Sequence, residues 1–180
     1  MEWKKFSMSN LRLINETSTT TGVASLSVTD VFNADFDIYK ITFTNTELAS
    51  LDWVEFRFIN SSGSVVASSE YDEAVLELDT GGAFGDGRET NDTNFSRLIR
   101  SQTTEAKGGD ATMFLFNPFS SSSYTFGLVQ SFGTISNGFG TKGIFVLTEL
   151  SSIKGFQIYL NGGSNINKST IRTYGLRVDS

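Results

Sequence analysis

The stretch from residue 79 to residue 93 holds the side chains best suited to bind a ligand. Its glycines and acidic residues interrupt the apolar pattern on either side, which predicts a long loop, and a long loop in a compact domain is often functional. Within it, residues 86–92 offer carboxylate and amide oxygens of the kind that Ca²⁺ binds, although the spacing differs from an EF-hand loop. A solvated turn in an acidic protein is the simpler alternative, and we expect no metal or other cofactor. The candidate contact loop for a protein partner or a glycan consists of Phe84, Asp86, Glu89, Asn91 and Asp92.

Paired carboxylates are the other residues that could do chemistry. Asp35 with Asp37, and Glu77 with Asp79, are two positions apart, so each pair would share one face of a strand. Glycoside hydrolysis needs an acid and a carboxylate across a sugar, but neighbouring acids are also ordinary solubilising residues. The chain has no His and no Cys, which excludes His-based acid–base catalysis, thiol nucleophiles, disulfides and the usual zinc ligands. We therefore expect no enzyme, and glycan cleavage is the weakest of the hypotheses.

The charge balance and the hydropathy of the chain argue against two classes of partner, nucleic acids and membranes. The formal net charge is −6, and the nearest basic pairs, Lys4 with Lys5 and Arg97 with Arg100, are diluted by acidic neighbours. Binding to nucleic acid depends on clustered Lys and Arg, so we expect no nucleic-acid partner. No apolar run approaches the length of a membrane span, and the N-terminus lacks the pattern of a signal peptide. We expect a protein that is made in the cytoplasm and does not insert into a membrane.

The chain is rich in aromatic residues and poor in charges. Aromatic residues make up 13% of it, including 16 Phe, whereas charged residues make up 19%. Aromatics near predicted turns could stack on sugar rings or fill a seam between subunits, although plugs at the ends of the core are the simpler interpretation. The surplus predicts an apolar surface for a partner or a second copy, so we expect a homo-oligomer. The aromatics in question are Phe84, Phe119, Tyr124, Phe132 and Phe139.

Short runs of β-branched and aromatic residues recur along the chain, separated by Gly, Asn, Ser and Asp. This pattern is typical of β-sandwiches and barrels. In one run Val54, Phe56 and Phe58 alternate with Glu55 and Arg57, as expected for a strand with one buried face. We predict a single domain over residues 1–180: an all-β, antiparallel, jelly-roll-like sandwich. The predicted strands are 11–15, 23–29, 36–44, 53–60, 74–78, 112–117, 124–131, 142–148, 153–160 and 169–176.

Several local features follow from the same pattern. The alternation changes phase near Ile38–Tyr39, which predicts a β-bulge there. Clusters of Asn, Ser and Gly predict turns at 60–64 and 161–165. One helical turn is predicted at 47–51, and the glycines near 108 predict a second long loop over residues 100–110.

Seven short motifs, spread over most of the chain, carry a resemblance to a known family. They lie at 37–41, 58–63, 71–72, 116–118, 124–126, 154–157 and 170–176, and the ending Ile-x-x-Tyr-Gly-Leu is the most characteristic. In these motifs the chain resembles the small jelly-roll virion proteins of tailed bacteriophages, especially marine phages, which serve as capsid decorations, head fibres or tail-fibre tips. The resemblance implies a β-sandwich, frequently trimeric, on the particle exterior. Residues 1–10 would then be an arm that fastens the domain to the virion, or a plain first strand.

The resemblance also sets the functional expectation. It implies a bacteriophage virion structural protein, synthesised in the host cytoplasm and located on the virion surface, with other virion proteins as partners. It acts as a capsid decoration or fibre component through protein–protein contacts. The alternative is a carbohydrate-binding module of a tail fibre that recognises a host glycan.

Overall fold

The computed structural model describes residues 10–82, 84–102 and 108–177, and within them the chain forms twelve β-strands and no helix. The predicted N-terminal arm at 1–10 therefore lies almost wholly outside the described residues. In the described part, no helix is long and apolar enough to cross a membrane. The strands are β1 (Leu11–Thr19), β2 (Ser25–Val28), β3 (Ile38–Leu48), β4 (Asp52–Asn60), β5 (Tyr71–Asp79), β6 (Phe84–Asp92), β7 (Phe95–Ser101), β8 (Gly109–Phe116), β9 (Thr125–Thr134), β10 (Gly138–Leu147), β11 (Ile153–Leu160) and β12 (Ile166–Leu176).

The strands form two sheets in which every neighbouring pair is antiparallel. The large sheet has eight strands in the order β1-β12-β3-β8-β9-β10-β5-β6, and the small sheet has four in the order β2-β11-β4-β7. This confirms the predicted all-β antiparallel sandwich. The jelly-roll connectivity stays a prediction.

The core lies between the sheets and consists largely of aromatic rings. Phe56 and Phe58 on β4 face Phe145 on β10, each with 6.1 Å between ring centroids, and Phe156 on β11 stacks on Phe56 at 5.2 Å. Phe95 on β7 stacks on the same Phe145 ring at 4.7 Å. These rings are fully buried, and each buried Phe stabilises the fold by about 1.5–3 kcal/mol. The alternation in β4 therefore correctly identifies its buried face.

The predicted loop at 79–93 is wrong, because most of it is a strand. β6 pairs with β5 across a tight hairpin in which Phe84 lies opposite Leu78. β6 is the edge of the large sheet and is mostly exposed, so it needs no apolar face to bury. Its glycines and charged residues suit an exposed edge, where they discourage pairing with other chains. β7 was also absent from the predicted strands.

The structure corrects two predictions in and after β3. The strand runs in register from Ile38, which pairs with Leu176 on one side and Phe116 on the other, so there is no bulge at Ile38–Tyr39. The irregularity lies further on, where Asn45 has a φ of 54° and its N–H donates to an Asp110 carboxylate oxygen at 2.7 Å. The predicted helical turn at 47–51 is wrong as well, since its first two residues end β3.

Both predicted turns are confirmed. In the turn at 60–64, the side-chain oxygen of Asn60 accepts the backbone N–H groups of Ser62 and Ser64, each at 3.1 Å. At 161–165 the chain turns after β11. The loop predicted at 100–110 is confirmed in part: β7 ends at Ser101 and β8 begins at Gly109, while residues 103–107 lie outside the described part.

Candidate functional site

The outer face of the large sheet carries a broad apolar surface. The strand register sets Phe114, Leu128 and Ile144 side by side, with Ala74 next in the row. Directly paired residues of an antiparallel sheet project from the same face, and the alternate positions, such as Val129, belong to the core. We call this surface the apolar face. Its exposed large side chains are Leu76, Leu78, Phe84, Phe114, Phe126, Leu128, Phe132 and Ile144.

One depression of the apolar face lies beside the β5–β6 hairpin. The register places Phe132, Gly140, Leu78 and Phe84 in one row across four strands. Because Gly140 has no side chain, the row dips between the two rings and leaves an open depression of about 690 Å³. Phe84 is 84% exposed and Phe132 is 64% exposed, so both rings stand in solvent in the single chain.

A second depression, of about 680 Å³, occupies the middle of the apolar face and contains both signs of charge. Leu76 lies between Lys142 on β10 and Asp86 on β6. Arg88 is also on this face, opposite Ala74. All three charged side chains are exposed and line the depression.

The size of the apolar face sets it apart from ordinary scattered surface residues. Eight large apolar side chains are between 38% and 84% exposed. Together they offer on the order of 800 Å² of apolar surface, about what one partner contributes to a standard protein–protein interface. Monomeric soluble proteins rarely expose a contiguous patch of this size, so the face is suited to contact another protein.

A polar cleft of about 560 Å³ lies on the outer face of the small sheet. Trp53, Glu55 and Arg57 on β4 alternate with core residues and so point outward into it. Tyr159 on β11 is paired directly with Glu55. The side chains that define the polar cleft are Trp53, Glu55, Arg57, Asn94, Tyr159 and Asn161. Its wall includes Glu89 and Asp92 from β6, at the edge of the large sheet, and Arg97 from β7, at the edge of the small sheet.

Contacts within the polar cleft hold Arg57 in one position. Its guanidinium lies 4.5 Å from the centroid of the Tyr159 ring, a cation–π contact. Its Nε donates to the backbone oxygen of Thr93 at 3.0 Å. At the other end of the cleft, the Trp53 ring meets the edge of Phe139 at 5.6 Å and lies 5.4 Å from the guanidinium of Arg100. Contacts within the chain therefore position the aromatic and cationic groups of the cleft.

Glu55 is an ionisable group that the fold buries. It is only 3% exposed, and this burial raises the pKa of its carboxyl above the ordinary value, against the lowering influence of the Tyr159 hydroxyl and the Arg57 charge. Burial, followed by the nearby Glu55, also raises the pKa of Tyr159. Near neutral pH, Tyr159 therefore keeps its proton, and Glu55 takes one up more readily than an exposed glutamate.

Asn94 supplies an unsatisfied acceptor. Its residue is 8% exposed and lies between β6 and β7. Among the described residues, its side-chain oxygen has no hydrogen-bond partner. A buried polar atom without a partner destabilises a fold by about 1–3 kcal/mol, and such atoms are uncommon in native proteins. It therefore offers an acceptor to a hydroxyl or amide group of a ligand.

The structure separates the five residues of the predicted contact loop. Phe84 and Asp86 lie on the apolar face, whereas Glu89 and Asp92 line the polar cleft. Asn91 sits at the exposed end of β6 with a φ of 56°, and its N–H donates to an Asp72 carboxylate oxygen at 2.9 Å. Strand pairing thus places two of the five residues on each surface and Asn91 on neither.

The predicted carboxylate pairs have local contacts. Asp35 and Asp37 are exposed next to the start of β3. Glu77 lies 3.6 Å from the Nε of Arg97, and Asp79 accepts the N–H of Gly81 at 2.7 Å in the β5–β6 turn. In the described ranges, no three acidic side chains come close enough together to hold a metal ion.

The aromatics near turns fall into two groups. Phe84, Tyr124 and Phe132 are exposed, as expected for contact residues. Phe139 is buried, and Phe119 is half-buried, so these two act as plugs at the ends of strands.

Trp53, Glu55 and Tyr159 were not among the predicted site residues. In the sequence, Glu55 and Arg57 appear only as the positions opposite the predicted buried face of β4. Tyr159 alternates with core residues in β11 in the same way. A tryptophan or tyrosine on the polar face of a strand is the signal that could have identified the cleft.

No known protein-family model, curated protein or solved structure gives a significant match to this chain.

Proposed function

We propose that this chain is a structural protein of the exterior of a bacteriophage particle, which acts through protein–protein contacts and self-associates through its apolar face. The apolar face is the observation that carries the proposal. A catalytic role has no comparable support, since the sequence lacks His and Cys. The virion setting is supported by the sequence motifs that resemble phage virion proteins, among them residues 170–176.

The occupant of the apolar face is a second copy of the chain. Its exposed apolar area is close to what one partner supplies in a stable pair of proteins. The charges are also self-complementary: Lys142 and Asp86 flank Leu76 on opposite sides. A two-fold axis along β5 would set Lys142 of each copy against Asp86 of the other. Symmetric pairing of this kind is the commonest way in which soluble proteins oligomerise.

Sedimentation velocity of the full chain tests the self-association. We expect an oligomer at micromolar concentration. We expect the double substitution Phe84→Ser and Phe132→Ser to dissociate it and to leave the chain folded, with an unchanged circular-dichroism spectrum, because both rings are exposed in the single chain. Leu150→Ser is the matched control, since Leu150 is 59% exposed but lies outside the apolar face. A monomeric wild-type chain would overturn the self-association.

Mass spectrometry of purified particles tests the virion role separately. We expect the chain in a stoichiometric amount in intact particles of the phage that encodes it. An oligomer that is absent from the particles would overturn the virion role and leave the self-association standing.

A further inference from the structure

The polar cleft differs chemically from the apolar face. It combines aromatic rings, hydrogen-bond donors and acceptors, and the buried side-chain oxygen of Asn94, which has no hydrogen-bond partner among the described residues. We propose that it is a binding site for an uncharged, hydroxyl-rich ligand, a neutral saccharide. Its volume of about 560 Å³ is within the range of small-molecule sites, roughly 300–1,000 Å³.

Hydroxyl groups suit the hydrogen-bonding groups of the cleft. Asn94 presents a buried acceptor that has no partner in the described part of the chain. Glu89 and Asp92 add carboxylate oxygens, and the exposed amide of Asn161 adds both a donor and an acceptor. A sugar hydroxyl can donate and accept at once, so neighbouring hydroxyls on one ring can satisfy such groups together.

The aromatic residues of the cleft match the apolar faces of a sugar ring. Trp53 and Tyr159 are both half-buried, so part of each ring is accessible. Arg57 is stacked on Tyr159 and bonded to Thr93, which fixes its position before a ligand arrives. A site that is ordered in advance loses less conformational entropy on binding.

The charges of the cleft disfavour an anionic ligand. Three carboxyls line it, from Glu55, Glu89 and Asp92, against two guanidinium groups. Arg97 is already paired with Glu89 at 3.2 Å and with Glu73. The remaining cation, Arg57, is held by Tyr159 and Thr93, so a sialic acid, a uronic acid or a phosphate would meet excess negative charge.

Tryptophan fluorescence gives a direct test in the full chain. The protein has two tryptophans, so Trp3→Phe leaves Trp53 as the only one. The probes are the neutral sugars glucose, galactose, mannose and N-acetylglucosamine with their β-linked disaccharides, and the anionic sugars glucuronic acid and sialyllactose. We expect a saturable change in Trp53 emission with at least one neutral probe and none with the anionic probes. No saturable change with any neutral probe, or stronger binding of an anionic one, overturns the proposal.

Substitutions of the polar side chains then locate the binding. Asn94→Ala removes the buried acceptor that has no partner among the described residues, Asn161→Ala removes the exposed amide, and each is expected to weaken binding of the responding sugar at least tenfold. Asn137→Ala makes the same change at an exposed position outside the cleft and should leave affinity unchanged. Unchanged affinity in both cleft variants would overturn the assignment.

Amide chemical shifts of the wild-type protein, measured as the sugar is added, locate the binding site without any substitution. The result therefore does not depend on whether the variants fold. The responding sugar should shift signals of Trp53, Asn94 and Tyr159, and leave those of the apolar face in place. Shifts confined to Phe84, Leu128 and Phe132 would place the sugar elsewhere and overturn the site. Failure here would leave the self-association intact, because the two surfaces share no residues.

Discussion

The guanidinium of Arg97 on β7 lies against the buried carboxylate of Glu73 on β5, and this ion pair joins the edge of the small sheet to the large sheet. The Glu73 side chain is only 1% exposed and also accepts the N–H of Ser96 at 2.8 Å. Burial alone would lower the pKa of Arg97, but its hydrogen bonds and charge interactions with Glu89 and Glu73 raise it overall. A methyl group at Gly87 would lie 2.5 Å from the Arg97 Nε, so β6 needs a glycine where the arginine crosses it.

Arg97→Met is expected to destabilise the protein strongly. It leaves the Glu73 carboxylate buried without its counter-charge, and breaking a buried pair from one side typically lowers stability by about 3–5 kcal/mol. For a chain of this size, each kcal/mol lowers Tm by roughly 2–4 °C. Urea unfolding monitored by circular dichroism measures the loss. Adding Glu73→Gln to Arg97→Met should recover part of it, whereas a loss below about 1 kcal/mol for Arg97→Met would contradict the buried-charge argument.

Tyr71→Phe tests a buried hydroxyl that joins two backbone segments. The Tyr71 hydroxyl accepts the N–H of Phe58 at 2.9 Å and donates to the backbone oxygen of Val66 at 3.0 Å. Its removal leaves both backbone groups unsatisfied in the core, which should lower stability by about 1–3 kcal/mol. Tyr124→Phe is the control, because Tyr124 is exposed and should change stability little. Equal effects of the two substitutions in thermal unfolding would show that the Tyr71 bonds contribute nothing.

Much of the sandwich is predictable from the sequence, for a physical reason visible in β4. Val54, Phe56 and Phe58 must all be buried on one face, and alternation with polar residues is the signature of that requirement. β6 has no such signature, since as an exposed edge strand it is held by backbone hydrogen bonds to β5. Its side chains therefore resemble those of a loop. Whether such a segment forms an edge strand or a loop depends on its position relative to the sheet, which the local sequence does not show.

The polar cleft was harder to predict than the apolar face. Excess Phe in the composition correctly indicated apolar surface beyond the core, because a sandwich of this length has limited interior. Glu55 and Tyr159, by contrast, are far apart in the sequence and meet only through the pairing of β4 with β11. The contact of Glu55 with Tyr159 depends on that pairing, which is not visible in the local pattern around residue 55.

Glu55→Gln is expected to change how stability depends on pH. Because burial raises the folded-state pKa of Glu55 above its ordinary 4.5, the folded protein holds this proton more tightly than the unfolded chain. The resulting stability is present below pH 4.5 and is lost as the pH rises through the folded-state value. Glutamine has no such transition, so the Tm of the variant minus that of the wild type should increase from about pH 4.5 toward neutrality.

Differential scanning fluorimetry across that pH range measures the effect. Glu16→Gln serves as the control for the loss of one carboxylate, because Glu16 pairs with Arg172 at the exposed edge of the large sheet. A Tm difference between wild type and Glu55→Gln that stays flat with pH, or falls, would mean that Glu55 ionises as easily in the folded chain as in the unfolded one.

Gly127→Ala tests a close contact between β9 and β10. Gly127 lies directly opposite Phe145, and a methyl group there would be 2.0 Å from the Phe145 ring. That ring is fully buried against Phe56 and Phe95, so it has no free space to move into. Overpacking of a filled core lowers stability by about 1–3 kcal/mol, which should appear as a lower urea midpoint at unchanged m-value.

A matched glycine separates this contact from the general effect of adding a methyl group in a strand. At Gly85, on the exposed edge strand β6, the nearest atom to a new methyl group would be the Glu77 carboxylate oxygen at 3.4 Å, an ordinary contact. Gly85→Ala should therefore change stability by less than about 0.5 kcal/mol. Replacing the Phe145 ring by the smaller leucine side chain in the Gly127→Ala background should relieve the clash. The double variant should then lose less stability than the sum of the losses in the two single variants. Strict additivity would show that Gly127 and Phe145 act independently and that their contact does not determine the residue at 127.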